Sequence, residues 1–499
     1  MSSPGALELI EAVLDEGSWR RWDEPVVAEP ADPAYAASLA RARERTGLDE
    51  SVVTGEGRIK GRRVAVVACE FGFLAGSIGV QAAERLVRAV ERATDERLPL
   101  LASPTSGGTR MQEGTVAFLQ MVKITAAIGR HKAAGNPYLV YLRNPTTGGV
   151  LASWGSLGHV TVAEPGALIG FLGPRVYRAL YGEEFPPGVQ TAENLLAHGL
   201  VDAVLTPEEI PETLGRALRV LTAPRQVSPD RAVPGTAASD AHIEDVPAWE
   251  SIRRSRRPGR PGVRQLLRQA ATDVVPMRRT GPGEVYPGLI LALARFGDAA
   301  CIVLGQDRQN QAVGSPFSPA DLREARRGMK LADELKLPLV TVIDTAGAAL
   351  SREAEEAGLA GQIARSLQDL VLLDAPTVCL LLGEGAGGGA LALLPADRVV
   401  CAQHGWLSPL PPEGASAIMF RTTRRAPEMA QAQGVRSLDL LRAGIVDRIV
   451  AEHPDAADEP DDYLARVAQV LEAELTGLLR RDPSTRLAAR FARYRRLGL

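Results

Sequence analysis

The sequence is poor in the residues that hold small secreted or metal-bound domains together. Its 499 residues include 4 cysteines and 6 histidines. The cysteines, Cys69, Cys301, Cys379 and Cys401, stand far apart and form no CxxC pair, which excludes a disulfide framework and a zinc ribbon. An excess of positive charge is missing too, because the formal net charge is −3. This balance argues against nucleic acid as a partner.

Long apolar runs are also absent from the sequence. No run reaches the roughly 18 residues that a membrane span requires. Met1–Pro4 leads into an acidic amphipathic stretch, which is not the pattern of a signal peptide. We therefore expect no membrane association and a cytoplasmic location. At roughly 150 residues per domain, the length predicts two or three domains.

What the sequence does contain is an internal duplication. Pro99 and Pro338 open matching apolar runs 239 residues apart, and Pro137 and Pro376 repeat that spacing. Further along, Gly149 is matched with Gly389 at 240 residues, and Gly199 with Gly444 at 245 residues. One small insertion explains the drift, so the chain is interpreted as a tandem repeat of one domain.

Each copy alternates strand-like runs with helical patterns. Helices are predicted over Gln81–Arg97 and Leu322–Lys336, and strands over Val64–Cys69, Val340–Ile343 and Val378–Leu382. This alternation predicts an α/β fold with right-handed crossovers and a mostly parallel sheet.

Four segments follow from the duplication. They are an N-terminal helical extension (1–54), a first lobe (55–222), a linker (223–284) rich in proline and arginine, and a second lobe with a C-terminal helical arm (285–499). A short helix is expected in the linker around Ile243–Arg254. The arginines of the C-terminal arm are expected to form a solvated surface, with binding of an acidic carrier domain as the alternative.

Glycine turns at strand ends are the candidate sites of chemistry. Pro145–Val150 follows a strand and opens an apolar helix predicted over Val150–Leu157. Adjacent glycines let backbone N–H groups approach a ligand, an arrangement that suits an oxyanion. Gly383–Ala390 repeats the feature in the second copy, so two oxyanion sites are predicted, one per lobe. Gly383, Gly385 and Gly388 also fit GxGxxG, but Asp397 is too near for the acid of a dinucleotide site.

A third glycine turn spans Ser106–Gly114. Gly107 and Gly108 are expected to expose their amides, with Arg110 available for an anionic group. Glu113 is a candidate general base, and helix capping is its alternative role. The sequence contains no GxSxG, HExxH or Walker motif, which leaves backbone amides as the natural catalytic groups.

These motifs resemble the carboxyltransferase component of biotin-dependent acyl-CoA carboxylases, especially the bacterial acetyl-CoA carboxylase type. Ser106–Glu113, Pro145–Val150 and Ala163–Phe171 are similar to its β subunit. Ile343–Thr345, Gly383–Leu391 and Pro412–Ser416 are similar to its α subunit. The resemblance covers about residues 55–210 and 285–490, in the order β then α, and implies two tandem crotonase-like (ββα spiral) lobes.

The resemblance implies transfer of a carboxyl group from N-carboxybiotin to the α-carbon of an acyl-CoA. The product would be malonyl-CoA or a substituted malonyl-CoA, a precursor for fatty acid or polyketide synthesis. Gly148 and Gly149 would hold the thioester carbonyl as its enolate forms. Gly389 and Ala390, beside Gly388, would hold the biotin ureido oxygen. Gly107, Gly108 and Arg110 would lie on the acyl-CoA side, and biotin itself would take the α-proton.

The resemblance also implies partners. The site would lie between the first lobe of one protomer and the second lobe of another, so at least a homodimer is expected. The sequence has neither a biotin attachment motif nor an ATP-binding carboxylase domain. Biotin would therefore arrive on a separate biotin carboxyl carrier protein, loaded by a biotin carboxylase. No zinc is expected, because residues 1–54 lack the four-cysteine ribbon of many β subunits.

Three alternatives remain open at this point. The chain could decarboxylate a malonyl thioester, using the same enolate site. It could be a non-catalytic partner subunit whose second site has decayed at Ala346–Ser351. It could also be a hydratase or isomerase that uses Glu113 as its base.

Overall fold

A computed structural model describes residues 4–25, 32–226, 243–278, 284, 286–312 and 316–497 of the chain. The chain divides into two compact units. Unit 1 is Met1–Leu218 with Arg278–Glu284, and unit 2 is Arg219–Met277 with Val285–Leu499.

Each unit is built on one main sheet. The strands of unit 1 are β1 (Arg20–Arg21), β2 (Val52–Ile59), β3 (Arg62–Cys69), β4 (Leu100–Ser103), β5 (Tyr138–Leu142), β6 (Thr146–Thr147), β7 (Val160–Ala163), β8 (Ile169–Gly170) and β9 (Ala203–Val204). The strands of unit 2 are β10 (Thr272–Pro276), β11 (Leu289–Phe296), β12 (Ala299–Gln306), β13 (Leu339–Thr345), β14 (Thr377–Ala386), β15 (Arg398–Ala402), β16 (Trp406–Ser408) and β17 (Arg448–Val450).

Helices connect and cover these strands. From the N-terminus to the middle of the chain they are α1 (Ala6–Val13), α2 (Pro33–Thr46), α3 (Val80–Asp95), α4 (Gly114–Ala133), α5 (Gly148–Leu151), α6 (Pro174–Tyr181), α7 (Ala192–Ala197), α8 (Ile210–Leu221), α9 (Ala248–Ser255) and α10 (Val263–Gln265). The remainder are α11 (Arg308–Ala312), α12 (Pro319–Leu335), α13 (Arg352–Glu356), α14 (Leu359–Leu372), α15 (Gly387–Leu391), α16 (Pro412–Phe420), α17 (Ala426–Ala432), α18 (Ser437–Arg442), α19 (Pro460–Leu479) and α20 (Pro483–Arg495).

The two sheets have the same topology. The order is β1-β2-β3-β4-β5-β7-β9 in unit 1 and β10-β11-β12-β13-β14-β15-β17 in unit 2. In both, the first three strands are antiparallel and the others run parallel. The predicted α/β fold with a mostly parallel sheet is therefore confirmed.

Apolar residues explain why these segments form the two cores. β4, β5 and β7 are buried at every position, as are β12, β13 and β14. Such runs fit parallel strands that are covered on both faces. α3 buries Ala83, Leu86 and Val90 at helical spacing against the sheet of unit 1. The helices predicted over Gln81–Arg97 and Leu322–Lys336 are thus present as α3 and α12.

Backbone geometry fixes how the two copies correspond. An isolated parallel bridge joins Ile78 to Thr109 in unit 1, and the same bridge joins Phe317 to Ala348, each partner 239 residues later. Gly148 and Gly387, also 239 residues apart, share a φ of +62°. Gly149 therefore corresponds to Gly388, and the match of Gly149 with Gly389 is off by one residue. Three consecutive glycines carry no side chain that could fix this register in the sequence.

The segment predicted as a linker contains regular structure. Between residues 243 and 278 it forms α9, α10 and β10, and β10 is an edge strand of the second sheet. Residues 227–242 and 279–283 of that segment lie outside the described residues. Arginines anchor it: Arg256 bonds Glu384 and Glu413, and Arg260 bonds the buried Glu452. The N-terminal segment 1–54 forms α1 and α2 as expected, and also β1, which pairs with β2.

Part of the C-terminal arginine cluster is buried, contrary to the sequence-based expectation, whereas Arg481, Arg495 and Arg496 are exposed. Arg486 and Arg490 of α20 are 3% and 1% exposed, and both bond the carboxylate of Asp397. Arg490 also donates to the carbonyl of Leu373 at 2.7 Å. The helical arm is therefore docked on unit 2 through buried ion pairs.

The four cysteines are buried free thiols, and burial raises the pKa of each. In the part of the chain that the structure describes, no three His, Cys, Asp or Glu side chains are grouped so that they could hold a metal ion. Among the same residues, no helix is both long and apolar enough to span a bilayer.

Candidate active site

Two glycine turns meet in unit 1. They follow β4 and β5, which are adjacent parallel strands whose ends lie at the same edge of the sheet. The Thr147 N–H donates to the carbonyl of Ser106 at 3.0 Å. A Cβ added to Gly148 would lie 3.5 Å from the Cα of Gly108. The structure thus brings the predicted pairs Gly107–Gly108 and Gly148–Gly149 face to face.

The turn at Gly148 leaves two backbone donors unused. The Gly148 N–H donates to the Phe171 carbonyl at 2.9 Å, and Gly148 takes the left-handed φ that glycine favours. Gly149 and Val150 occupy the first turn of α5, where N–H groups lack intrahelical acceptors. Among the described residues, neither amide has an acceptor. Two free amides at a half-buried turn can bind one oxygen atom.

The helix after this turn is shorter than predicted. Val150–Leu157 does not form one helix: α5 ends at Leu151, and a 3₁₀ turn covers Trp154–Ser156. The Ser153 hydroxyl donates to the Gly149 carbonyl at 2.5 Å, and so competes with the helical backbone pattern. Ser153 thereby also fixes the peptide plane that carries the Val150 N–H.

The amides of Gly107 and Gly108 are already used. Gly107 donates to the Ala75 carbonyl at 2.9 Å, and Gly108 donates to the Ser106 hydroxyl at 3.0 Å. The sequence predicted exposed amides here, whereas in the structure these groups shape the turn that packs against Gly148.

Arg110 is committed to an internal ion pair. Its side chain is 1% exposed and bonds Glu50 through both terminal nitrogens. It also donates to the Ser77 carbonyl at 2.8 Å and the Ser51 hydroxyl at 3.1 Å. Burial alone lowers the pKa of Arg110, but the Glu50 carboxylate outweighs burial and raises it. The guanidinium that was expected to receive an anion instead holds the turn to the rest of unit 1.

Glu113 is a capping residue in this structure. Its carboxylate accepts from the Val80 N–H at 2.6 Å, at the start of α3, and from the Tyr35 hydroxyl at 2.5 Å. Burial, and next the bond to Glu113, raise the pKa of Tyr35 to about 12. These contacts support the capping alternative for Glu113 over the general-base role.

We predict that Arg110→Lys destabilises the protein without affecting substrate affinity. Lysine keeps the charge but loses the two-pronged contact with Glu50, so the free energy of unfolding should fall by about 2–3 kcal/mol. Chemical denaturation measures this loss, and steady-state kinetics on the folded fraction measures KM for acyl-CoA. The control is Arg88→Lys, whose side chain is 61% exposed. A rise in KM of about tenfold or more, with unchanged stability, would contradict a purely structural Arg110.

Unit 2 repeats the hydroxyl-capped turn of unit 1. The Gly347 N–H donates to the Thr345 hydroxyl at 3.1 Å, as the Gly108 N–H does to Ser106. Gly347 and Gly108 have similar φ values, +132° and +112°. The sequence differs at Ala346–Ser351 from the motif that it resembles, yet the backbone of the turn is retained.

The second glycine turn is tightly enclosed. Gly388 is half-buried, whereas Gly389 and Ala390 are buried. A Cβ on Gly389 would lie 3.1 Å from the Ala348 nitrogen, and one on Gly388 would lie 2.7 Å from Ile363 Cδ1. The amides of Gly388 and Gly389 have no acceptor within the described chain. The turn is therefore a second site that can hold an oxygen atom. A side chain at Gly388 or Gly389 would meet the neighbouring atoms and occupy this space.

Gln306 is a residue that the sequence did not single out. Its amide nitrogen donates to the Gly389 carbonyl at 2.8 Å, and its amide oxygen accepts from the Asp344 N–H at 3.1 Å. Fixing the Gly389 carbonyl also fixes the Ala390 N–H, because both belong to one planar peptide. A glutamine that ends the otherwise apolar run of β12 is the sequence signal that could have revealed it, and the structure shows that this glutamine is fully buried.

The GxGxxG pattern is not a nucleotide loop. Gly383 and Gly385 lie inside β14, not at its end. A Cβ on Gly383 would lie 2.4 Å from Asp344 Oδ1, and one on Gly385 would lie 2.7 Å from the Trp406 carbonyl. Both glycines are explained by close packing within the sheet.

Fold and site together define a class of enzyme. Two copies of one α/β spiral each present a glycine turn with free backbone amides, which is the arrangement that stabilises an enolate or a similar oxyanion. Residues 5–487 match the family model described as carboxyl transferase domain. The chain belongs to this family, and it is a carboxyltransferase subunit of a biotin-dependent acyl-CoA carboxylase.

Relatives from bacteria cover nearly the whole chain. The "probable biotin-dependent acyl-coenzyme A carboxylase beta3 subunit" of Mycobacterium tuberculosis (strain ATCC 25618 / H37Rv) is 63% identical over 492 residues, which are 99% of this chain and 98% of the relative. The "acetyl-coenzyme A carboxylase carboxyl transferase subunits beta/alpha" of Parafrankia sp. (strain EAN1pec) is 38% identical, over 99% of this chain and 86% of the relative.

Solved structures confirm the crotonase-like fold of the family. The transcarboxylase 12S crystal structure has a TM-score of 0.69 at 21% identity, covering 93% of this chain and 89% of that one. A single-chain, multi-domain long-chain acyl-CoA carboxylase has a TM-score of 0.68 at 18% identity, covering 92% of this chain and 46% of that one.

Proposed function

We propose that the chain transfers a carboxyl group from carboxybiotin on a separate carrier protein to the α-carbon of an acyl-CoA. The product is malonyl-CoA or a substituted malonyl-CoA. The observation that carries this proposal is the pair of equivalent turns, at Gly148–Val150 and Gly387–Ala390, each with amides that no described residue accepts from.

The turn of unit 1 receives the thioester oxygen. The unbonded amides of Gly149 and Val150 donate to it, while Gly148 sets the turn and Gly107 and Gly108 support it. As the α-proton leaves, negative charge develops on this oxygen, and donors fixed beforehand stabilise it without reorganisation. Neither Arg110 nor Glu113 takes part, because both are held by internal contacts.

The turn of unit 2 receives the ureido oxygen of biotin. Gly388 and Gly389 supply free amides, and Ala390 is oriented by the bond between Gln306 and the Gly389 carbonyl. The narrow site fits a small carbonyl group, since a single methyl at either glycine would meet neighbouring atoms. When bound, biotin supplies the carboxyl group and accepts the substrate proton.

The proposal includes partners. The carrier protein and a biotin carboxylase act in trans, and at least two copies of the chain assemble. α4 supports assembly, because it exposes four large apolar side chains at 54–66%: Val116, Phe118, Leu119 and Val122. An apolar face of this kind is typical of a surface that another subunit covers.

The reverse reaction tests the proposal without the partner proteins. The purified chain is given malonyl-CoA or methylmalonyl-CoA, with and without free biotin, and the decarboxylated acyl-CoA is quantified. We expect turnover that requires biotin. Turnover independent of biotin would identify a dedicated decarboxylase instead. Absence of turnover with both substrates, together with absence of acyl-CoA binding, would contradict the proposal.

A further inference from the structure

Thr109 places a free hydroxyl beside the first oxyanion turn. Its Oγ1 lies 3.4 Å from the point that a Cβ on Gly149 would occupy, and Met121 Cγ lies at the same distance. The neighbouring residue Gly108 is also near: a Cβ there would lie 3.8 Å from the Gly149 nitrogen. Thr109 Oγ1 therefore lies beside Gly149, next to the space that a side chain there would occupy.

The Thr109 hydroxyl is available to a ligand. The residue is half-buried, and its Oγ1 has no hydrogen-bond partner among the residues that the structure describes. Its backbone, by contrast, is fixed. Thr109 forms a parallel bridge with Ile78, whose N–H donates to Gly108 and whose carbonyl accepts from Arg110, both at 3.0 Å. A rigid backbone with an unbonded, accessible hydroxyl is suited to bind an oxygen that arrives with substrate.

The second unit lacks this hydroxyl. The residue that corresponds to Thr109 is Ala348, which forms the same bridge with Phe317. The two turns share this bridge and the hydroxyl cap from Ser106 and Thr345, so neither of these features requires a threonine at the position. The difference matches the different ligands that the proposed function assigns to the two sites.

We infer that Thr109 Oγ1 donates a third hydrogen bond to the thioester oxygen held by the amides of Gly149 and Val150. This inference rests on the proposed function. The hydroxyl keeps its proton throughout: it donates a hydrogen bond that strengthens as charge builds on the oxygen, and no covalent bond to Thr109 forms or breaks. Thr109 thus sets the acyl-CoA site of unit 1 apart from the biotin site of unit 2.

Two substitutions separate the hydroxyl from the methyl group of Thr109. Thr109→Val keeps the shape and removes the donor, and it should lower kcat for biotin-dependent malonyl-CoA decarboxylation on the order of tenfold, less than loss of a backbone donor. Thr109→Ser keeps the donor and should retain kcat within about threefold. The control is Thr423→Val, a threonine of unit 2 whose side chain is exposed. A loss in Thr109→Ser but not in Thr109→Val would overturn the inference in favour of a role in shape.

A spectroscopic measurement detects the hydrogen bond between Thr109 and the thioester oxygen without turnover. Acetyl-CoA or propionyl-CoA labelled with ¹³C at the thioester carbonyl is bound to each variant, and the carbonyl stretch is recorded by infrared difference spectroscopy. Donors lower this frequency, so we expect the lowering to be largest in the wild type and in Thr109→Ser, and smaller in Thr109→Val. Equal lowering in all three would overturn the role of Thr109 and leave the proposed function intact. If wild type binds neither acetyl-CoA nor propionyl-CoA, or leaves the stretch of both at the solution frequency, the proposed function itself fails.

Discussion

Replacing Gly149 with proline is expected to lower kcat for biotin-dependent decarboxylation by about 10²- to 10³-fold, the usual effect of removing one oxyanion donor. Proline removes the Gly149 N–H, which no described residue accepts from, so no internal hydrogen bond is lost. The residue is the second of α5, and its φ lies outside the left-handed region. Proline is tolerated in the first turn of a helix, and the fold should persist.

Gly149→Ala is the matched control for this prediction. Both substitutions add a Cβ, which would meet Met121 Cγ and Thr109 Oγ1 at 3.4 Å, an ordinary van der Waals distance. Only proline removes the amide hydrogen. Circular dichroism and thermal melting establish that both variants are folded before kinetics are compared. If the proline variant is folded and as active as the alanine variant, the Gly149 amide does not hold the thioester oxygen.

Arg260→Met is expected to cost unit 2 about 3–5 kcal/mol of unfolding free energy, since it leaves a buried carboxylate unpaired. Arg260 donates to both oxygens of Glu452 at 2.6 and 2.7 Å, and the two side chains are 3% and 0% exposed. Chemical denaturation measures the loss. Arg352→Met is the control, because the pair of Arg352 with Glu356 is 82% and 62% exposed and should matter much less. Equal losses in the two variants would show that burial of the pair is unimportant.

The same ion pair makes stability depend on acid. Burial by itself raises the pKa of Glu452, but the charge and hydrogen bonds of Arg260 outweigh burial and lower it to about 2, from an ordinary 4.5. A carboxyl group with a depressed pKa stabilises the folded state fully above pH 4.5 and loses that contribution as the pH falls toward 2. The double variant Arg260→Met/Glu452→Gln should therefore lose less unfolding free energy than the wild type across this interval. An unchanged acid slope would contradict this assignment.

Features that depend on local patterns could be predicted from the sequence. Short apolar runs predicted β3, β13 and β14, and apolar residues at helical spacing predicted α3 and α12. These patterns are visible because an element that is buried on one or both faces needs apolar residues at regular positions. The glycine turns themselves were also predicted, whereas their meeting at Gly108 and Gly148 was seen only in the structure. The duplication added a further constraint, because a functional motif was expected at equivalent positions of both copies.

Features that depend on distant partners could not be predicted. Arg110 looked like a free cation because its partner, Glu50, lies 60 residues earlier in the chain. Arg260 sits in a segment whose composition is typical of a linker, but it meets Glu452 after 192 residues. The register of Gly387–Gly389 was ambiguous for another reason. The three glycines differ only in their backbone torsions, and glycine can adopt so many torsions that the sequence does not predict them.

The docking of α20 has a consequence for synthesis of the chain. The carbonyls of Leu373 and Ala375, which follow helix α14, accept hydrogen bonds from Arg490 and Arg486, respectively. Both arginines also neutralise the buried carboxylate of Asp397. Those arginines emerge from the ribosome more than 80 residues after Asp397. A nascent second unit therefore carries an uncompensated carboxylate and exposed carbonyls until α20 has been synthesised. Unit 1 comprises residues no later than Glu284, so the two copies of one fold should differ in when they can reach the native state.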